Sequence, residues 1–93
     1  MEIKHDHTEE GGMFYTGNPE DPTAQMVYSM RGKEKMVIEH TEVNETLEGK
    51  GIGSQLVEAA VWYARMHHIK ILPLCSFAKS VFDKVEEYQD VLV

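Results

Sequence analysis

The chain has 93 residues, of which 42% are hydrophobic and 27% charged, so we expect one globular domain spanning residues 1–93. Nine Lys and Arg against sixteen Asp and Glu give a formal charge of −7, which argues against nucleic acid as a partner. No apolar run approaches the roughly 20 residues of a membrane span, the first residues lack a hydrophobic signal core, and a single cysteine suits a reducing compartment. We therefore expect a cytoplasmic protein without a membrane partner.

The N-terminal quarter of the chain is mostly polar, with Gly11-Gly12 as turn formers and Met13-Phe14-Tyr15 as a short strand. His5 and His7 flank Asp6, so on a strand both rings would point to one face. No third metal ligand is evident in the sequence, and we interpret this segment as a solvated strand without a metal site.

Residues 24–43 predict a β-hairpin. Apolar and polar residues alternate from Ala24 to Arg31, Gly32-Lys33 marks a turn, and Met36 to Val43 form the returning strand. Strict alternation along that strand places four side chains on one face: Met36, Ile38, His40 and Glu42. There His40 is either a half-buried, hydrogen-bonded histidine or a base, because imidazole accepts protons near neutral pH.

Three glycines, at positions 49, 51 and 53, separate this hairpin from a strongly helical segment. Their backbone freedom lets successive N–H groups and the positive end of the helix converge on a phosphate. The alternative is a plain turn that caps a helix. The spacing fits neither a P-loop nor a dinucleotide-binding loop. We predict the helix from about residue 51 to 68, because apolar residues recur at helical spacing: Ile52, Leu56, Val57, Ala60, Val61 and Ala64.

A short buried strand is predicted over residues 70–74, where Pro73 indicates a break or an edge position. A second helix is predicted over residues 76–85. The order hairpin, helix, strand, helix indicates an α+β fold with a parallel crossover around the first helix. Cys75 precedes the second helix, whose N–H groups and dipole favour a thiolate. The alternative for Cys75 is packing as a small buried hydrophobe.

The glycine loop, Glu48-Gly49-Lys50-Gly51-Ile52-Gly53, resembles the Arg/Gln-x-x-Gly-x-Gly/Ala loop of the GCN5-related N-acetyltransferases, with Glu48 in place of Arg or Gln. Three flanking segments, His40 to Val43, Ile71 to Phe77 and Glu87-Tyr88, resemble a small single-domain branch of that family. This branch includes the mammalian N-acetyltransferase-domain-containing proteins, and the similarity covers roughly residues 24–93. Members of this branch often carry His-Pro before Glu-Tyr, where this chain has Val85-Glu86.

The resemblance implies a minimal acetyltransferase fold, with a mostly antiparallel central sheet and two helices, that uses acetyl-CoA or coenzyme A. It implies that the loop binds the pyrophosphate through Gly49, Lys50, Gly51, Ile52, Gly53 and Ser54. Glu42 and Val43 precede that loop, where the main chain of such enzymes pairs with the pantetheine arm. The family's proposed catalytic cysteine corresponds to Cys75, and the matching histidine, His40, is expected nearby.

Two chemistries are compatible with these residues. In direct transfer, His40 or Glu42 removes a proton from an amine acceptor, which is a small molecule or a peptide. In the covalent route, Cys75 first takes the acetyl group. A third hypothesis is a non-catalytic CoA-binding or interaction module. The small size of the chain and the acidic Glu48 in the glycine loop favour it. The sequence does not identify the acceptor or the oligomeric state.

Overall fold

The computed structural model describes residues 2–93 and contains one five-stranded sheet covered on one face by two α-helices. The strands are β1 (Lys4–Thr8), β2 (Gly11–Asn18), β3 (Asp21–Arg31), β4 (Lys35–Val43) and β5 (Lys70–Pro73). The helices are α1 (Ile52–His67) and α2 (Ser76–Lys84), with short 3-10 helices at Glu45–Leu47 and Glu86–Val91. The strands lie in chain order, and every pair is antiparallel except β4 with β5. This architecture confirms the predicted α+β fold.

The predicted hairpin corresponds to β3 and β4, but the chain before it forms more strand than its composition predicted. Gly11-Gly12, predicted as a turn, lies inside β2 and pairs with β1 and β3. A Cβ atom at Gly12 would lie 2.3 Å from the carbonyl oxygen of Asp6 on β1. Glycine is therefore required here because another strand approaches closely, and the prediction of a turn was wrong.

A β-bulge interrupts the alternation of side chains on β4. Val27 lies opposite His40, whereas the next residue on β3, Tyr28, lies opposite Ile38, so Glu39 is an extra residue on β4. Beyond the bulge, Val43 packs against the core, and His40 is exposed. The prediction of one face shared by Ile38 and His40 was therefore wrong, because the bulge reverses the alternation.

The hydrophobic core lies between the sheet and the two helices. Helix α1 buries the apolar stripe predicted from its sequence: Ile52, Leu56, Val57, Ala60, Val61 and Ala64. These side chains meet β-strand residues such as Met26 and Ile38 and, from α2, Phe82. No helix within residues 2–93 is long and apolar enough to cross a membrane.

The crossover from β4 through α1 to β5 brings two chain segments together at Ile38. Its carbonyl oxygen accepts hydrogen bonds from the N–H groups of Leu74, at 3.0 Å, and Cys75, at 3.1 Å. The parallel pairing of β4 with β5 ends at Ile38 and Pro73, while β4 continues to Val43. Among residues 2–93, the last residues of β4 therefore have β3 on one side and no strand on the other.

Candidate active site

A cleft of about 460 Å³ opens beside the end of β4. Its walls come from β4, from the glycine loop with the first turn of α1, and from α2. The lining residues are Thr41, Val43, Leu47, Glu48, Gly49, Gly51, Ile52, Gly53, Ser54 and Phe77. The separation of β4 from β5 therefore leaves a cleft bounded by a free strand edge and the N-termini of both helices.

The glycine loop presents bare main chain to this cleft. Gly49 and Gly51 have φ values of 80° and 77°, in the left-handed region that favours glycine. A Cβ atom at either position would meet no protein atom within 4 Å. Gly51 is also the N-cap of α1 and supplies no side-chain acceptor, so the first N–H groups of the helix are available to a ligand. The loop therefore fits an anionic group such as a pyrophosphate.

Gly53 is required for a different reason, namely the ring of Phe77. An ideal Cβ atom at Gly53 would lie 2.5 Å from Cζ of Phe77. The aromatic ring from α2 thus packs directly on the first turn of α1, and it forms one wall of the cleft. Any larger residue at position 53 would displace this wall.

Cys75 is the N-cap residue of α2, and its side chain is partly buried. The thiol donates a hydrogen bond to Oγ1 of Thr41 at 3.3 Å. Burial raises the pKa of the thiol, but this hydrogen bond and the N–H groups of Ala78 and Phe77 outweigh it, so the pKa lies below its ordinary value. The Cys75 side chain makes no capping hydrogen bond of normal geometry, so these N–H groups act on the sulfur from a longer distance.

His40 and Glu42 form a separate pair that does not include Cys75. Nε2 of His40 lies 2.8 Å from Oε1 of Glu42, and Gln25 donates to the other carboxylate oxygen at 3.4 Å. The hydrogen bond from His40, and then that from Gln25, lowers the pKa of Glu42. Both side chains are mostly exposed, at 54% for His40 and 63% for Glu42. A catalytic role of His40 stays a prediction, and its hydrogen bond in this structure goes to Glu42.

Six of the eight residues predicted to bind the cofactor line the cleft: Val43, Gly49, Gly51, Ile52, Gly53 and Ser54. Lys50 and Glu42 do not line it. Sequence reasoning missed Thr41 and Phe77. Thr41 could not be found without the bulge, whereas Phe77 has a signal in the sequence, namely an aromatic residue two positions after Cys75.

Comparisons with known proteins agree with this fold. The family model described as GCN5-related N-acetyl-transferase matches residues 13–91. The NMR structure of a GCN5-like protein from Staphylococcus aureus is 35% identical, with a TM-score of 0.78, and the match covers 99% of this chain and 87% of that one.

Two more distant structures share the fold. A GNAT family acetyltransferase from Elizabethkingia anophelis, solved with acetyl-CoA bound, is 18% identical with a TM-score of 0.63, covering 81% of this chain and 52% of that one. The ribosomal-protein-alanine N-acetyltransferase from Brucella melitensis biovar Abortus is 12% identical with a TM-score of 0.63, covering 81% and 62%. The match to the family model and the identity to the Staphylococcus protein show that this chain belongs to the GCN5-related N-acetyltransferase family.

Proposed function

We propose that this protein transfers an acetyl group from acetyl-CoA to an amine or a similar nucleophile. The observation that carries this proposal is the position of Thr41. It lines the cleft that contains the glycine loop, and it is also the hydrogen-bond partner of Cys75. Thr41 therefore links the cleft of the glycine loop to a thiol with a lowered pKa, although Cys75 itself does not line the cleft. The acetyl-CoA bound to the Elizabethkingia relative supports this choice of donor.

In this proposal the N–H groups of Ile52, Gly53 and Ser54 hold the pyrophosphate of the donor. The free edge of β4 after Ile38 offers backbone groups to the pantetheine arm, because no strand occupies that side. Glu48 also lines the cleft and repels phosphate, so we expect a modest affinity.

The covalent route uses Cys75 as the nucleophile. The thiolate sulfur attacks the thioester carbonyl carbon, a new C–S bond forms, and the bond to the CoA sulfur breaks with release of the CoA thiolate. The amine then attacks the acetyl-cysteine, the Cys75 thiolate leaves, and the amine proton passes to a base. In the thiolate form the hydroxyl of Thr41 reverses its role and donates to the sulfur, which stabilises the attacking and leaving states.

Direct transfer is the alternative route within the same function. Here the amine attacks the thioester carbonyl carbon, the bond to the CoA sulfur breaks and the CoA thiolate leaves, and the exposed pair of His40 and Glu42 takes the amine proton through water. The hydrogen bond of 2.8 Å between Nε2 of His40 and Oε1 of Glu42 supports this pair as a proton acceptor close to the edge of β4. A positively charged acceptor also suits a chain with a formal charge of −7.

Incubation with acetyl-CoA followed by intact-mass and peptide mass spectrometry tests the proposal. We expect one acetyl group on Cys75, none in Cys75→Ala, and turnover when an amine is added. If Cys75→Ala transfers acetyl groups at the wild-type rate, the direct route replaces the covalent one. If calorimetry shows CoA binding but neither labelling nor turnover occurs with any amine, the proposal fails, and a CoA-binding module becomes the better reading.

A further inference from the structure

A second cleft lies at the other end of α1, and the acetyl-transfer proposal does not use it. Its volume is about 1040 Å³, slightly above the usual range of about 300–1,000 Å³ for small-molecule sites. It is lined by the turn after β1, by β3 and the turn after it, and by the end of α1: His7, Thr8, Glu9, Glu10, Tyr28, Met30, Gly32, Lys33, Tyr63, His67 and Ile69. It shares no lining residue with the first cleft, and α1, with 16 residues, is about 24 Å long.

The wall of the second cleft is aromatic and is held in place. The ring of Tyr63 lies 4.6 Å from the ring of His5, edge to face, and 4.3 Å from the ring of His67. His5 in turn stacks on Phe14 at 4.0 Å. These contacts fix the Tyr63 ring, which is only partly buried and lines the cleft. A fixed, partly exposed aromatic ring gives an alkyl chain a surface to pack against.

Tyr28 is buried and lines the second cleft on the same side as Tyr63. Burial and the neighbouring Tyr63 raise the pKa of Tyr28 to about 12, while burial and then His7 lower the pKa of His5 to about 4. At neutral pH neither group is therefore charged, and the Tyr28 hydroxyl and Nε2 of His5 share a hydrogen bond of 2.6 Å. This pair adds no positive charge to the cleft.

The rim of the second cleft carries more negative than positive charge. Glu9 and Glu10 lie in the turn between β1 and β2, and Lys33 lies in the turn between β3 and β4. The turn is held because the N–H of Glu10 donates to Oγ1 of Thr8 at 3.2 Å and the N–H of Met30 donates to the Glu10 carbonyl at 2.8 Å. The C-terminus of α1 adds its partial negative charge.

We propose that this second cleft binds an alkylammonium cation, with its charged head between Glu9 and Glu10 and its alkyl chain against Tyr63. An aromatic wall, two carboxylates and the end of a helix dipole all favour this ligand. A divalent metal is not the proposed ligand, because no group of three or more potential ligands forms among residues 2–93. Binding in this second cleft is independent of acetyl transfer, and no chemical reaction is proposed there.

Titration of the isotope-labelled protein, followed by two-dimensional NMR, tests the proposal with three probes of equal chain length. We expect cadaverine, a linear diamine, to shift the signals of Glu9, Glu10, Tyr63 and His67 in a saturable manner. Pentanediol, which is uncharged, and glutarate, which is anionic, should leave them unchanged. The double variant Glu9→Gln/Glu10→Gln should bind cadaverine about fivefold or more weakly, as expected when two exposed charge contacts are lost.

The matched control is Glu86→Gln/Glu87→Gln, which removes the same charge from another exposed acidic pair. It should bind cadaverine like the wild type. Equal weakening in both double variants would mean general attraction to an acidic surface and would overturn the proposal. Shifts of the same signals by glutarate instead would make the cleft an anion site, and an absence of saturable shifts with cadaverine would also refute it.

Discussion

The hydroxyl oxygen of Thr41 lies 3.3 Å from the sulfur of Cys75, and this contact joins the free edge of β4 to the N-terminus of α2. It exists because of two features of β4. The bulge at Glu39 turns Thr41 toward α2, and the carbonyl of Ile38 fixes the backbone of Cys75 through its N–H group. The environment of the thiol is therefore set by a strand irregularity and not by His40, the histidine next to Thr41 in the sequence.

Replacement of Thr41 by valine should make the thiol less reactive. The loss of the hydroxyl removes a hydrogen bond that lowers the pKa of Cys75, so the pKa should rise. The pH dependence of alkylation by iodoacetamide measures this pKa. Thr41→Ser keeps the hydroxyl and should retain the wild-type profile. An unchanged profile in Thr41→Val would show that Thr41 does not tune the thiol.

Replacement of Gly51 by alanine should weaken binding of CoA at least about tenfold, because a Cβ atom there enters the space that the phosphates need. Gly32→Ala is a matched control. Its φ of 70° is close to the 77° of Gly51, and a Cβ atom at either position meets no protein atom within 4 Å. Both variants should therefore lose a similar stability, about 1–2 kcal/mol. Only Gly51→Ala should change the affinity measured by calorimetry.

The same titration would contradict the phosphate site if Gly51→Ala bound CoA as well as Gly32→Ala does. Gly53→Ala provides a second measurement, since its Cβ atom would collide with the ring of Phe77. We expect it to lose both affinity and stability, the latter by about 1–3 kcal/mol.

Much of this fold could be predicted because its signals are local and periodic. The apolar stripe of α1, the turn at Gly32 and the edge position of Pro73 all follow from residue type and spacing. The bulge at Glu39 could not be predicted, because it depends on pairing with β3 and no residue type marks it. This extra residue reverses the alternation of side chains from His40 onward. It therefore places Thr41, and not the predicted His40, beside Cys75.

The environment of His5 escaped prediction for a related reason. From the sequence, His5 and His7 alternate on a polar strand, and we expected that strand to be solvated. In the structure the ring of His5 is half-buried against Phe14 and Tyr63, residues from β2 and α1 that are distant in the chain. Both rings do share one face, as expected, with centroids 4.6 Å apart. Only the tertiary contacts show that this face is packed.

Truncation of Leu56 to alanine should destabilise the protein by about 2–5 kcal/mol, because its side chain is fully buried on α1 between the sheet and α2. Met66→Ala is the control on the same helix, since 74% of Met66 is exposed. Urea unfolding followed by circular dichroism measures both free energies of unfolding. Similar values for the two variants would mean that α1 does not dock on the sheet as described.

The stability of the protein should fall as the pH is lowered through the range in which His5 titrates. Burial and the nearby His7 depress the pKa of His5 to about 4, from 6.5 for an unperturbed histidine. Between about pH 6.5 and 4, His5 is protonated in the unfolded chain but neutral in the folded protein. Its contribution to the free energy of unfolding is therefore complete above pH 6.5 and is lost as the pH falls to about 4. Because the ring is only half-buried, we expect this residue to contribute about 1–2 kcal/mol.

Urea unfolding at about pH 7 and about pH 5 measures this loss, and His5→Gln isolates the contribution of His5. The glutamine amide can still hydrogen-bond to the Tyr28 hydroxyl but does not titrate, so the variant should lose less stability between the two pH values than the wild type. His68→Asn removes an exposed histidine at a left-handed position, φ 56°, which asparagine tolerates, and it should behave like the wild type. If His5→Gln keeps the full pH dependence, the acid sensitivity arises from carboxylates and the packing of His5 has no part in it.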